Sequence, residues 1–151
     1  MSVGEYCNRE TIVVSREDSI REIVMLMRTR HVGDVIVVDK KGEQLIPVGI
    51  LTDRDIVIEI IAKDVDVDSV TAADVMSYEL VTTTEKTKLL DAITLMRNKG
   101  VRRMPVVDEQ GGLVGIITVD DVLELIAEQL QGIVSLFLKE QDHEKKLREV
   151  S

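Results

Sequence analysis

The stretch Gly49-Ile50-Leu51-Thr52-Asp53-Arg54-Asp55 returns downstream as Gly115-Ile116-Ile117-Thr118-Val119-Asp120-Asp121. Each copy reads glycine, two branched apolar residues, threonine, two variable residues and aspartate. Each then runs into an apolar helical pattern, Ile56-Val57 and Val122-Leu123. Thr52 and Thr118 lie 66 residues apart, whereas upstream pairs such as Met27 and Met96, Ile23 and Ala92, or Asp39 and Asp108 lie 69 apart. The first copy therefore carries three extra residues between Lys40 and Pro47, where a turn absorbs them. One unit of structure is written twice, and that repeat governs the fold.

The bulk properties bound the function. A chain of 151 residues fits one compact domain, or two small ones sharing a core. Its single cysteine, Cys7, excludes an internal disulfide, suits a reducing compartment and has no nearby histidine to activate it. The net charge of −9 argues against a binder of nucleic-acid phosphates or of an anionic membrane surface. No apolar run approaches a membrane span, and the N-terminus lacks a signal-peptide pattern, so a soluble cytoplasmic protein is expected. Aromatic residues make up 2% of the chain, which leaves Val, Ile, Leu and Met to build the core.

Residues 1–10 read as an irregular lead-in. Thr11 to Val14 is β-branched and reads as a strand. Ser15 and Ser19 are both candidate caps for a helix whose apolar face is Ile20, Ile23, Val24 and Met27. His31 near its end either complements the helix C-terminus or serves as a phosphate or pH-responsive group. Val35 to Val38 is a strand buried on both faces, Asp39 to Gly42 a turn and Leu45 to Leu51 the second arm of a hairpin. Ile56, Val57, Ile60 and Ile61 face a second helix, and residues 63–75 connect the copies, ending in a helical turn at Thr71 to Met76. The second copy repeats the plan: a strand at Leu80 to Thr83, a helix stopped by Gly100, strands at Met104 to Val107 and Leu113 to Ile117, then a last helix. Gly132 is expected to interrupt that helix, beyond which Ile133 to Leu138 leaves an apolar face that needs a partner.

Thr52 and Thr118 each stand where a strand ends and a helix begins. Unpaired peptide N–H groups there favour an anion, and the hydroxyl adds a donor. Asp55 and Asp121, three residues on, suit the paired hydroxyls of a ribose, so the pattern fits a sugar-phosphate. Threonine and aspartate at this spacing before an apolar run equally make a helix cap. No nucleophile with a base, metal cluster or catalytic carboxylate pair is recognisable, so no enzyme, no catalytic residue and no metal ligand is expected.

Two copies of a helix, a Val-Val-Asp strand and a Gly-apolar-apolar-Thr-x-x-Asp turn, with Arg103-Met104-Pro105-Val106-Val107-Asp108, resemble the cystathionine-β-synthase (CBS) domain in tandem, a Bateman module. The resemblance implies an α+β (mixed α/β) fold of two β-α-β-β-α repeats related by a pseudo-twofold axis, with sheets packed face to face. Repeats are expected at residues 8–62 and 76–130, with a helical extension at 131–151. It further implies a regulatory adenosine ligand, with AMP or ATP favoured over ADP, NAD and S-adenosylmethionine, and a homodimer of modules with a possible protein partner. Carried over, the family's positions give Asp55 and Asp121 for ribose and Thr52 and Thr118 for phosphate. Arg102 and Arg103 supply cations to one cleft, and Arg54 is expected to serve the other. Ile12, Val13 and Val35 in one cleft, and Val81, Thr82, Met104 and Pro105 in the other, are the candidates for adenine contact. The expected function is a sensor that signals to a partner or through its own dimer. The alternative is a ligand-free assembly module acting through the C-terminal helix.

Overall fold

The computed structural model describes residues 1–150 as a body spanning Met1–Ile117 and a second unit from Thr118 onward. The body opens with a short helix α1 (Val3–Tyr6), followed by β1 (Val13–Val14) and α2 (Ile20–Arg30). Ser19 caps α2 by accepting the amide of Glu22 at 3.2 Å. A hairpin of β2 (Asp34–Lys41) and β3 (Gln44–Thr52) leads into α3 (Asp53–Ile56), which continues as a π-helical turn at Val57–Ile61. The equivalent elements of the second copy are α4 (Ala72–Val75), β4 (Thr83–Thr84), α5 (Leu89–Lys99), β5 (Arg103–Val107) and β6 (Leu113–Thr118). The second unit is one helix, α6 (Val119–Val150).

Two three-stranded sheets result, ordered β1-β2-β3 and β4-β5-β6. β1 runs parallel to β2, with Val13 opposite Ile36, and β4 runs parallel to β5, with Thr83 opposite Val106. β2 and β3 are antiparallel, and their register slips at Val37/Val38, beside Pro47, which has no amide proton for the ladder. Val35, Ile36, Val37 and Val38 are all buried, as a strand covered on both faces requires. The hairpin extends further than expected: the ladder reaches Lys41 opposite Gln44, so the turn is only Gly42-Glu43.

Residues 1–10 are not an irregular lead-in. Ser2 begins a capping box with Glu5, and α1 docks on the second repeat: the amides of Val3 and Gly4 donate to the carbonyls of Thr87 (2.9 Å) and Glu85 (3.0 Å). Asn8 then exchanges two backbone hydrogen bonds with Ile116. The counterpart segment does the reverse. Thr71 forms a capping box with Asp74, the amides of Ala72 and Ala73 donate to Asp18 and Arg16, and Ser77 pairs with Ile50. Ala72 and Met76 are buried in the core of the first repeat with Val14, Ile20, Ile23, Val35, Val37 and Leu51. Each repeat thus receives its first turn from the segment that leads into the other.

This exchange explains the glycine that opens each motif. A Cβ on Gly49 would stand 2.6 Å from the Met76 sulfur and 2.9 Å from the Ser77 carbonyl oxygen. A Cβ on Gly115 would stand 2.8 Å from the Asn8 carbonyl oxygen and 3.0 Å from the Cys7 sulfur. Only glycine lets the incoming segment lie this close to the strand.

A further difference concerns the last helix. Gly132 does not interrupt the last helix, which runs unbroken from Val119 to Val150. A single helical glycine costs only about 1 kcal/mol, too little to stop a helix of this length. Val122 and Leu125 are buried, and every described residue from Ile126 on is exposed. No helix among the described residues is long and apolar enough to cross a membrane.

Candidate functional site

A cavity of about 390 Å³ lies in the body, lined from the first repeat by Ile50, Thr52, Asp53, Arg54 and Asp55. From the second repeat it is lined by Ser77 and Glu79 to Val81, and by Gly100 to Arg103. The turn between β3 and α3 supplies one wall. The entry to β4 and the loop from α5 into β5 supply the other. Residues from the two copies meet because the Thr52 turn of the first repeat faces the strand entries of the second.

Thr52 and Asp55 form a reciprocal cap. The Asp55 amide donates to Thr52 Oγ1 (3.1 Å), and the Thr52 amide donates to Asp55 Oδ2 (2.8 Å). Asp55 Oδ1 keeps its lone pairs for another donor. In the second unit the same box forms at the start of α6: the Asp121 amide donates to Thr118 Oγ1 (3.2 Å), and the Thr118 amide and hydroxyl donate to Asp121 Oδ2 (3.0 and 2.9 Å). The hydroxyl of Thr118 is thereby committed to its own aspartate. Both motifs are therefore helix caps, and the carboxylate of each retains one oxygen beyond the cap.

The basic residues gather differently from expectation. Arg54 was assigned to the cleft opposite Arg102 and Arg103, yet all three line the same cavity. Arg54 sits on the first turn of α3, and that turn belongs to the wall facing the arginine pair. Arg103 forms an ion pair with Asp34, both side chains being about 30% exposed. Asp34 is also the cross-strand neighbour of Thr52 in the β2–β3 register. Three acids, Asp53, Asp55 and Glu79, share the cavity lining with the three arginines.

Of the apolar candidates, Val81 lines this cavity. Val35, Met104 and Pro105 are buried in the core, where both faces of their strands are covered, so their side chains offer no surface to a ligand. Ile12 packs half-buried against the first core, and Thr82 is half-buried outside the cavity lining. Val13 lines a separate cavity of about 820 Å³ with Ser15, Glu17, Asp18 and Asp39. Asp39 there is held by Arg16 (2.8 and 3.0 Å), which keeps its carboxyl below the usual carboxylate range. Sequence reasoning missed Glu79 and the contact made by Asp34. The exchanged segment had a signal in Ser2-x-x-Glu5, which stands 69 residues before Thr71-x-x-Asp74.

The uncharacterized protein MK0525 of Methanopyrus kandleri is 39% identical over 125 residues, 83% of this chain and 62% of that one. The chain therefore spans less than two thirds of that relative. The cytosolic domain of the Mg²⁺ channel MgtE, solved in complex with ATP, matches 82% of this chain and 48% of its own at 29% identity, with a TM-score of 0.69. The CBS domain pair of protein MJ0100, solved with 5′-methylthioadenosine and S-adenosyl-L-methionine, shares the fold at 23% identity and a TM-score of 0.74. That match covers 85% of this chain and 98% of the other. The model of the CBS domain itself matches twice, over residues 3–62 and 72–128, each match taking in the segment that the other repeat receives. With two such matches over most of its length, the chain belongs to the CBS domain family, as a tandem pair of repeats.

Proposed function

We propose that the protein is a regulatory module that binds an adenosine-containing ligand in the cavity between Thr52–Asp55 and Arg102–Arg103. The observation that carries this reading is the convergence of a carboxylate with a spare oxygen, three guanidinium groups and the apolar Val81 on one cavity of about 390 Å³. Asp55 Oδ1 accepts from the ribose hydroxyls, Val81 packs on the base, and Arg54, Arg102 and the Thr52 hydroxyl face the 5′ substituent. Pockets of a few hundred Å³ with a few convergent polar groups are the usual form of a small-molecule site. The ATP complex of the MgtE domain supports the ligand class.

The test is calorimetric titration with AMP, ADP, ATP, NAD and S-adenosylmethionine, after denaturing a sample to look for co-purified nucleotide. Asp55→Ala should weaken binding about 10- to 100-fold, the value of a charge-assisted pair of hydrogen bonds. It should cost only about 1 kcal/mol of stability through the lost cap. Loss of stability with unchanged affinity would leave Asp55 as a cap alone.

A second reading concerns assembly. Leu123, Ile126, Leu130, Ile133 and Phe137 follow a 3-4-3-4 spacing on α6, and all five are about half exposed. That spacing is the seam of a coiled coil. Val134 borders the same stripe, and Leu136 and Leu138 flank it on either side, all exposed. A second copy of this chain, which carries the same seam, is the occupant we propose.

A further inference from the structure

The cavity carries both signs of charge in equal number, and this bears on which adenosine compound it takes. Asp53, Asp55 and Glu79 line a space of about 390 Å³ together with Arg54, Arg102 and Arg103. The balance tips at Asp34. Its carboxylate binds the Arg103 guanidinium, and its residue on β2 pairs directly across from Thr52, so the charge is tied to one wall and anchored beside the other. Facing residues in adjacent strands have Cβ atoms about 5 Å apart, which puts the Asp34 charge within short range of anything bound at Thr52. A phosphate chain reaching for Arg103 must either displace Asp34 or lie beside it. In the first case it strands a half-buried carboxylate, and in the second it meets like charge.

We infer that this cavity discriminates among adenosine compounds by charge, favouring those of low negative charge over polyphosphates, and that Asp34, through its pair with Arg103, sets the discrimination. The inference rests on the adenosine-binding reading above. It turns a cluster of arginines that looks built for ATP into a site in which Arg103 is already held by a carboxylate. The cost grows with each phosphate added, because every added charge lies in the same field.

The experiment compares the native protein with Asp34→Asn by titration against S-adenosylmethionine, NAD, AMP, ADP and ATP, in magnesium-free buffer at two salt concentrations. Asparagine keeps the shape and a hydrogen bond to Arg103 while removing the charge. The native protein should bind AMP at least about fivefold more tightly than ATP, and Asp34→Asn should shrink that ratio about fivefold, the scale of one partly exposed charge pair. Salt gives an independent sign: added salt should leave the ATP affinity of the native protein unchanged or raise it, because screening relieves repulsion. ATP binding tighter than AMP in the native protein, a ratio unmoved by Asp34→Asn, or ATP affinity that falls steeply with salt would each overturn the inference. Failure of all five compounds to bind either protein would instead overturn the adenosine reading, and this inference with it.

Discussion

His31 ends α2 in the left-handed conformation, with φ of 54°, and its counterpart 69 residues on is Gly100, with φ of 66°. The same helix stop is thus built from a residue that fits it and from one that does not. A side chain in this conformation costs roughly 1–2 kcal/mol relative to glycine. His31→Gly should stabilise the protein by about 1 kcal/mol, and Gly100→Ala should destabilise it by a similar amount. Urea denaturation of the two variants measures both. The αL position of His31 makes it the C-terminal cap of α2. The cap formed by Thr52 and Asp55 was legible from spacing alone, and the ligand contact proposed for them calls for the same residues. What spacing could not show is which carboxylate oxygen the cap consumes.

The elements that matter most are the two exchanged turns, α1 and α4. Gly115→Ala should cost about 1–3 kcal/mol, because the new methyl would overlap the Asn8 carbonyl, an immovable backbone atom. Thermal unfolding followed by circular dichroism would register this, and an unchanged midpoint would mean that α1 does not dock as described. A second expectation follows from Ala72 and Met76 lying inside the first core. A fragment of residues 9–78, which contains the turn its core receives, should unfold cooperatively. A fragment of residues 1–70, which contains the wrong turn, should not. The repeat, the hairpin and the helix faces were readable because periodicity and a spacing of 69 are properties of sequence. The exchange was not, because two short turns with different apolar residues, Val3 and Ala72, share only their caps. The short strands β1 and β4 were over-read for a related reason. Thr11 to Val14 and Leu80 to Thr83 have strand composition throughout, but the strands formed are only Val13–Val14 and Thr83–Thr84.

At the scale of the whole molecule, three carboxyls among the described residues are held below their ordinary range: Glu5 by the amide of Ser2, Asp39 by Arg16 and Asp68 by Arg21. A depressed carboxyl stabilises the fold above its unfolded value and loses that contribution as pH falls through the folded one. The melting temperature should therefore be flat near neutrality and decline below about pH 4, where ordinary carboxylates begin to protonate. The double variant Asp39→Asn, Asp68→Asn should show a shallower acid decline. Since every described residue from Ile126 on is exposed, removal of residues 131–151 takes away no core. The truncated protein should keep its melting temperature within a few degrees. If the proposed seam pairs two chains, sedimentation velocity should show a smaller species for the truncated protein than for the full chain, and equal states of association would count against the seam. The apolar seam was visible in the sequence, but its continuity through Gly132 was not, because local propensity is outweighed by the helix on either side.

The pair formed by Asp34 and Arg103 joins a position to its own counterpart, 69 residues away. Two equivalent positions touch only beside the axis that relates them. In a dimer of single repeats such a position would carry the same residue twice, so an arginine would confront an arginine and an aspartate an aspartate. Joining two copies in one chain removes that restriction, because each copy can then mutate alone. Opposite charges at one symmetric spot are thus a mark of fusion: they record an asymmetry that no association of identical halves could hold.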